Sequence, residues 1–97
     1  MEFGLVDIVR RKITEDCREK IEALGYKMVV GVQVIGMLVT EARETERNKL
    51  CVSVRIFPEK DSPDPIFPEM MEKIKLIIPE ESLGVLVFVE YWGYGHV

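Results

Sequence analysis

The sequence predicts an α+β fold: a single domain in the order α-β-β-α-β, with a three-stranded mixed sheet that carries two helices on one face. Three observations lead there. Two segments, 5–24 and 68–78, repeat apolar residues at three- and four-residue steps, the spacing of one buried helical stripe. Three others, 26–40, 49–57 and 83–92, are rich in β-branched and aromatic residues and bounded by turn formers. A chain of 97 residues also leaves room for one core only.

In the first helix, Val6, Val9, Ile13, Cys17, Ile21 and Leu24 make the stripe, while Arg11, Thr14, Glu15, Arg18, Glu19 and Glu22 face water. Gly25 follows where a left-handed C-terminal cap is wanted. The segment "YKMVVGVQVIGMLVT", 26–40, is apolar on both faces over much of its length. It is long for one strand, so a bulge or bend is expected at Gly31 or Gly36. A charged connection, 41–48, leads to "KLCVSVRIF", 49–57. Here Leu50, Val52, Val54 and Ile56 alternate with Cys51, Ser53 and Arg55, so the two strands form a hairpin and Cys51 falls on the polar side as the more accessible thiol.

The proline-rich loop 58–67 cannot hold regular structure. Pro68 opens the second helix, whose stripe is Phe67, Met70, Met71, Ile74, Ile77 and Ile78, and Pro79 stops it. In the last strand, 83–92, Leu83, Val85, Val87, Val89 and Tyr91 share one face and Leu86, Phe88 and Trp92 the other. A right-handed crossover leaves this strand parallel to the second if both join one sheet. The tail 93–97 carries little that must be buried.

This inventory does not balance. Two of the three strands are apolar on both sides, yet two helices cover about one face of such a sheet. A second copy of the chain, related by a two-fold axis, is the simplest cover for the other face. The sheets would stack, or share and intertwine strands through their free edges. The expectation is a homodimer with a large apolar interface, and Val29, Ile35, Met37, Leu86, Phe88 and Trp92 are its candidate residues. The alternative is a face blanketed by long charged side chains.

Composition excludes some classes. The net charge of −4 argues against a dedicated nucleic-acid binder. No apolar run is long enough to span a membrane, and the N-terminal stretch lacks a signal-peptide pattern, which predicts a cytoplasmic protein. One Gln and one Asn stand against 17 acids and 13 Lys/Arg, a thermophile pattern.

Candidate chemistry is sparse. Glu59, Asp61 and Asp64 form an acidic loop able to offer oxygen ligands to a hard cation, but their spacing fits no calcium loop and a solvated turn explains them. Cys17, Cys51 and His96 are soft donors without paired spacing. The "RRK" run at 10–12 fans around its helix and faces Glu15 and Glu19, a salt-bridged surface. Two readings fit the C-terminal "VFVEYWGYGHV". Trp92, Tyr94 and His96 would contact a ligand or partner, or Tyr91 and Trp92 would finish the strand and seal the core or interface. No catalytic residue set, metal centre or cofactor is implied, and the chain reads as leaning away from an enzyme.

The element order, with "IEALGYKMVVGVQV" leading to "KLCVSVRIFPEKD", resembles the N-terminal domain of the bacterial ribosome maturation factor RimP, where a helix ending in a Leu-Gly-aromatic turn precedes a similar hairpin. The likeness covers roughly residues 21–61. The order is also similar to the small domain of the MIP18-like iron–sulfur assembly proteins, whose Pro-Gly-Cys-Pro motif is replaced here by "SPDPIFP". These are fold analogies that bring no activity with them. As a whole the chain resembles the small uncharacterised archaeal proteins. It is therefore read as a non-enzymatic homodimer with a structural, regulatory or partner-binding role. The alternatives are a small-ligand or metal site at the dimer interface and a ribosome- or RNA-associated factor.

Overall fold

A computed structural model describes residues 4–34, 50–60 and 66–93. The protein is α+β, and the described residues form two helices and a four-stranded mixed sheet. Helix α1 spans Gly4–Ala23, β1 Tyr26–Val34, β2 Leu50–Pro58, α2 Pro68–Ile77, β3 Glu81–Ser82 and β4 Val85–Tyr91. The expected residues Ile35, Met37, Asp61, Asp64, Tyr94 and His96, and the positions 35–40 of the first strand, lie outside the described residues.

Val6, Val9, Ile13, Cys17 and Ile21 of α1 are all buried, as their spacing requires. Each fully buried aliphatic side chain contributes roughly 1.5–3 kcal/mol, so this stripe is what fastens the helix to the sheet. Gly25 ends it at φ 93 and donates its N–H to Glu22 O at 2.9 Å, the left-handed cap the sequence called for. Around α1, Arg10 and Arg11 pair with Asp7 at 2.8 and 2.9 Å, and Lys12 with Asp16 at 3.2 Å. The basic run is thus neutralised by aspartates rather than by Glu15 and Glu19.

The strand order is β1-β2-β4-β3. β1 and β2 are antiparallel, and β2 and β4 parallel, as the crossover rule demands. Residues 26–34 pair one-to-one with 58–50, Gly31 opposite Ser53. Gly31 therefore marks no bulge. The fourth strand, β3, was not expected. Its two residues join β4 through a tight turn in which Leu83 (φ 51) and Gly84 (φ 80) both take positive φ, the signature of a type I′ hairpin. Leu83 belongs to this turn and not to the last strand.

One side of the sheet is the core. Tyr26, Met28, Val52, Val54, Ile56, Val85 and Val87 pack there against the α1 stripe and against Ile74 and Ile78. The two helices meet where the Cys17 thiol donates to Ile77 O at 3.6 Å. The α2 stripe is narrower than its sequence suggests. Ile74 and Ile78 are fully buried, Met70 and Ile77 partly, and Phe67 stands 60% exposed. A short helix resting on the margin of a narrow sheet has only one line of contact to fill.

Candidate functional site

Strand parity sends the other set of side chains to the face opposite the helices. β1 contributes Lys27, Val29, Gly31 and Gln33; β2 contributes Cys51, Ser53, Arg55 and Phe57; β4 contributes Leu86, Phe88 and Glu90. Apolar groups stand in the open here: Val29 is 52% and Phe88 45% exposed.

Next to them is an ordered cluster. Trp92 follows β4 and holds its place by donating its backbone N–H to Ile56 O at 2.8 Å. The Arg55 guanidinium carbon lies 4.4 Å from the centre of the Trp92 ring, within cation–π range. Phe57 meets the same ring edge-on at 6.0 Å and 68°. The indole Nε1 donates to Glu90 Oε2 at 2.9 Å, and Glu90 sits opposite Arg55 in the ladder. Trp92 is therefore half-buried and fixed from three sides, a stacked element of the sheet face. Sequence reading singled out Trp92 but missed Arg55, Phe57 and Glu90. The parity of these positions was readable, whereas the β2–β4 register that brings them together was not.

Beside the cluster a hollow of ≈ 200 Å³ lies among Val29, Gly31, Gln33, Ser53 and Arg55. Gly31 floors it, and a Cβ there would meet nothing within 4 Å. The volume falls below the roughly 300–1,000 Å³ of ordinary small-molecule pockets, so this is a dimple in a surface.

Of the two thiols, Cys17 is buried in the α1 stripe where its spacing puts it, whereas Cys51 corrects the expectation of an accessible thiol. Cys51 lies on the outer face but is only 1% exposed, and Ser53 beside it 4%. Both belong to β2, which lies between β1 and β4 in the sheet. Burial pushes both cysteine thiols above their ordinary pKa, for Cys17 with the help of the neighbouring Asp16. Cys17 sits in the helix-side core and Cys51 on the opposite face of the sheet, so the two cannot share one metal ion.

In the acidic loop, Glu59 donates its N–H to Gly25 O at 2.9 Å, and its carboxylate approaches Lys27 Nζ at 3.8 Å. That pairing ties the start of β1 to the end of β2. Among the described residues no three metal-ligating side chains gather, and no helix is long and apolar enough to cross a membrane.

Comparison with known proteins finds no family model, no curated protein and no solved structure that matches the chain. The geometry alone must carry the functional reading.

Proposed function

We propose that the chain acts as a homodimer without catalytic activity, in a structural, regulatory or partner-binding role, and that the open sheet face is the surface on which two copies meet. The observation that carries this reading is the exposure of Val29 and Phe88 on the face that neither helix covers, at 52% and 45%. Monomeric proteins seldom leave such a patch in water, and a two-fold axis covers it with an identical one. Arg55, Trp92 and Phe57 are residue types enriched in interface centres. The same aromatic groups would suit stacked bases, but among the described strand residues the cations on this face are Lys27 and Arg55. Lys27 is engaged by Glu59 and Arg55 by Trp92, which leaves little for phosphates.

Light scattering at micromolar concentration tests the proposal, with a dimer mass expected. Val29→Glu should return a monomer that still folds. Val29 is exposed and sits opposite Arg55, so the new carboxylate gains a cross-strand partner in the monomer but is desolvated in the dimer. A monomeric wild-type protein overturns the proposal.

A further inference from the structure

The outer edge of β4 is only partly used. Successive residues in a strand aim their N–H and C=O groups to alternate sides. Trp92 N–H donates to Ile56 O, toward β2, whereas Val87 N–H donates to Glu80 O at 2.9 Å, on the opposite side. Val89 shares the parity of Val87, so its main-chain groups also point away from β2. The strand that could receive them ends too early, because β3 pairs only Glu81 with Leu86 and Ser82 with Val85. Before Glu80, Pro79 follows directly on the end of α2. Among the described residues, then, nothing pairs with the N–H and C=O of Val89. An open edge is a template for another strand.

A cavity of ≈ 350 Å³ lies against this stretch. Leu86 and Phe88 line it from the open face, Val87 and Val89 from the helix face, together with buried Ile78. It therefore wraps the edge of the strand and gives the side chains of an added segment somewhere to go. Exposed Glu80 is the carboxylate and Lys75 the cation among the lining residues.

We infer that this edge binds an extended peptide segment of a partner protein as a fifth strand of the sheet. Val89 supplies the main-chain hydrogen bonds, the cavity takes one large apolar side chain, and the exposed carboxylate of Glu80 in its lining favours a basic residue beside it. A second copy of β4 fits less well. Antiparallel pairing about Val89 would set Gly93 of one copy against Val85 of the other, a position Ser82 already holds. A short peptide can end before β3 begins. This inference is independent of the dimer, which uses the face and not the edge.

The test is NMR on the full chain, with the heptapeptide acetyl-Lys-Thr-Leu-Thr-Val-Thr-Lys-amide as the probe. In the free protein the Val89 amide should exchange at least tenfold faster than that of Phe88, which points into the β2 ladder. Peptide should slow Val89 exchange tenfold or more and shift the resonances of Val87 to Val89. Val89→Pro should keep the fold, because proline is tolerated where the strand N–H faces outward, and should abolish peptide binding. Three results would each overturn the inference: a Val89 amide already protected at all protein concentrations, protection that grows with protein concentration alone, or peptide shifts at Val29 and Gly31 instead of the edge. So would the absence of any shift at millimolar peptide. The exchange comparison in the wild-type protein decides the matter even where Val89→Pro fails to fold.

Discussion

The Arg55–Trp92 contact can be isolated by a double-mutant cycle. Trp92→Ala removes the ring, Arg55→Met removes the charge but keeps most of the aliphatic stem, and the double variant closes the cycle. The structure sets the magnitude. A guanidinium 4.4 Å from the ring centre lies well within cation–π reach. Both groups are half-buried, so the coupling belongs between ~0.5 kcal/mol for exposed pairs and ~2 kcal/mol for desolvated ones, at about 1 kcal/mol. Trp92→Ala alone forfeits more. A fully buried Trp truncated to Ala costs ~3–5 kcal/mol, and a half-buried ring that also loses an edge-to-face contact of ~0.5–1.5 kcal/mol should cost about 2–3 kcal/mol. The assay is urea unfolding followed by far-UV circular dichroism at one fixed protein concentration, since urea does not screen charge. A coupling within ~0.3 kcal/mol of zero refutes the contact, being no larger than the non-additivity of unrelated sites. A loss above ~4 kcal/mol for Trp92→Ala would instead mean that the ring is fully enclosed in solution.

Three further outcomes follow from the fold. Gly25→Ala should destabilise by about 1 kcal/mol, because φ 93 costs an L-residue ~1–2 kcal/mol and the stiffer unfolded chain returns part of it; thermal unfolding reads this as a drop of several degrees. Ile74→Ala should cost ~2–5 kcal/mol, whereas Leu76→Ala, two residues on and 87% exposed, should change stability by less than ~0.5 kcal/mol; equal losses would mean that the face of α2 is wrongly assigned. The pH dependence has two arms of opposite sign. Burial raises both thiols above their unfolded values, so the stability they contribute is whole below about pH 8.5 and is lost as pH climbs past it. Arg10, hydrogen-bonded to Asp7, lowers that carboxyl, so its contribution is whole above the ordinary carboxylate value and is lost as acid is added. Unfolding curves across pH check both arms, and Cys51→Val should make the alkaline one shallower while leaving the part due to Cys17.

What could be read in advance was what repeats. The α1 stripe is five buried residues at helical spacing, and nothing in the tertiary structure competes with it. The parallel β2–β4 pair follows from chain order once both strands join one sheet, with the helix as the crossover between them. The failures share a different cause. Cys51 and Ser53 carry the polar half of a clean alternation, but alternation assigns a face and not an exposure, and on the central strand both are buried. β3 has two residues, too few for any period to show. Leu83 is a poor choice for a left-handed turn position, so the turn is visible only through its neighbour Gly84 and through the pairing of Ser82 with Val85. The Arg55–Trp92–Glu90 cluster is a matter of register between strands far apart in sequence, which no local pattern encodes.

The face and the edge of β4 make separable demands, and one pair of variants tells them apart. Val29 stands on β1, two strands away from the free edge, and its side chain faces the open surface. Val29→Glu should therefore abolish self-association and leave the exchange of the Val89 amide, and its slowing by peptide, unchanged. Val89 presents its side chain to the helix-side core and its main chain to the edge. Val89→Pro should remove peptide binding while light scattering still reports the wild-type mass. A dimer lost in both variants would mean that the copies meet along the edge, with strands joined into one continuous sheet. Peptide binding lost in both would mean that the peptide lies across the open face, where Phe88 borders the face and the cavity alike. Sedimentation and amide exchange on the same two samples therefore separate a surface used for self from a surface used for a partner.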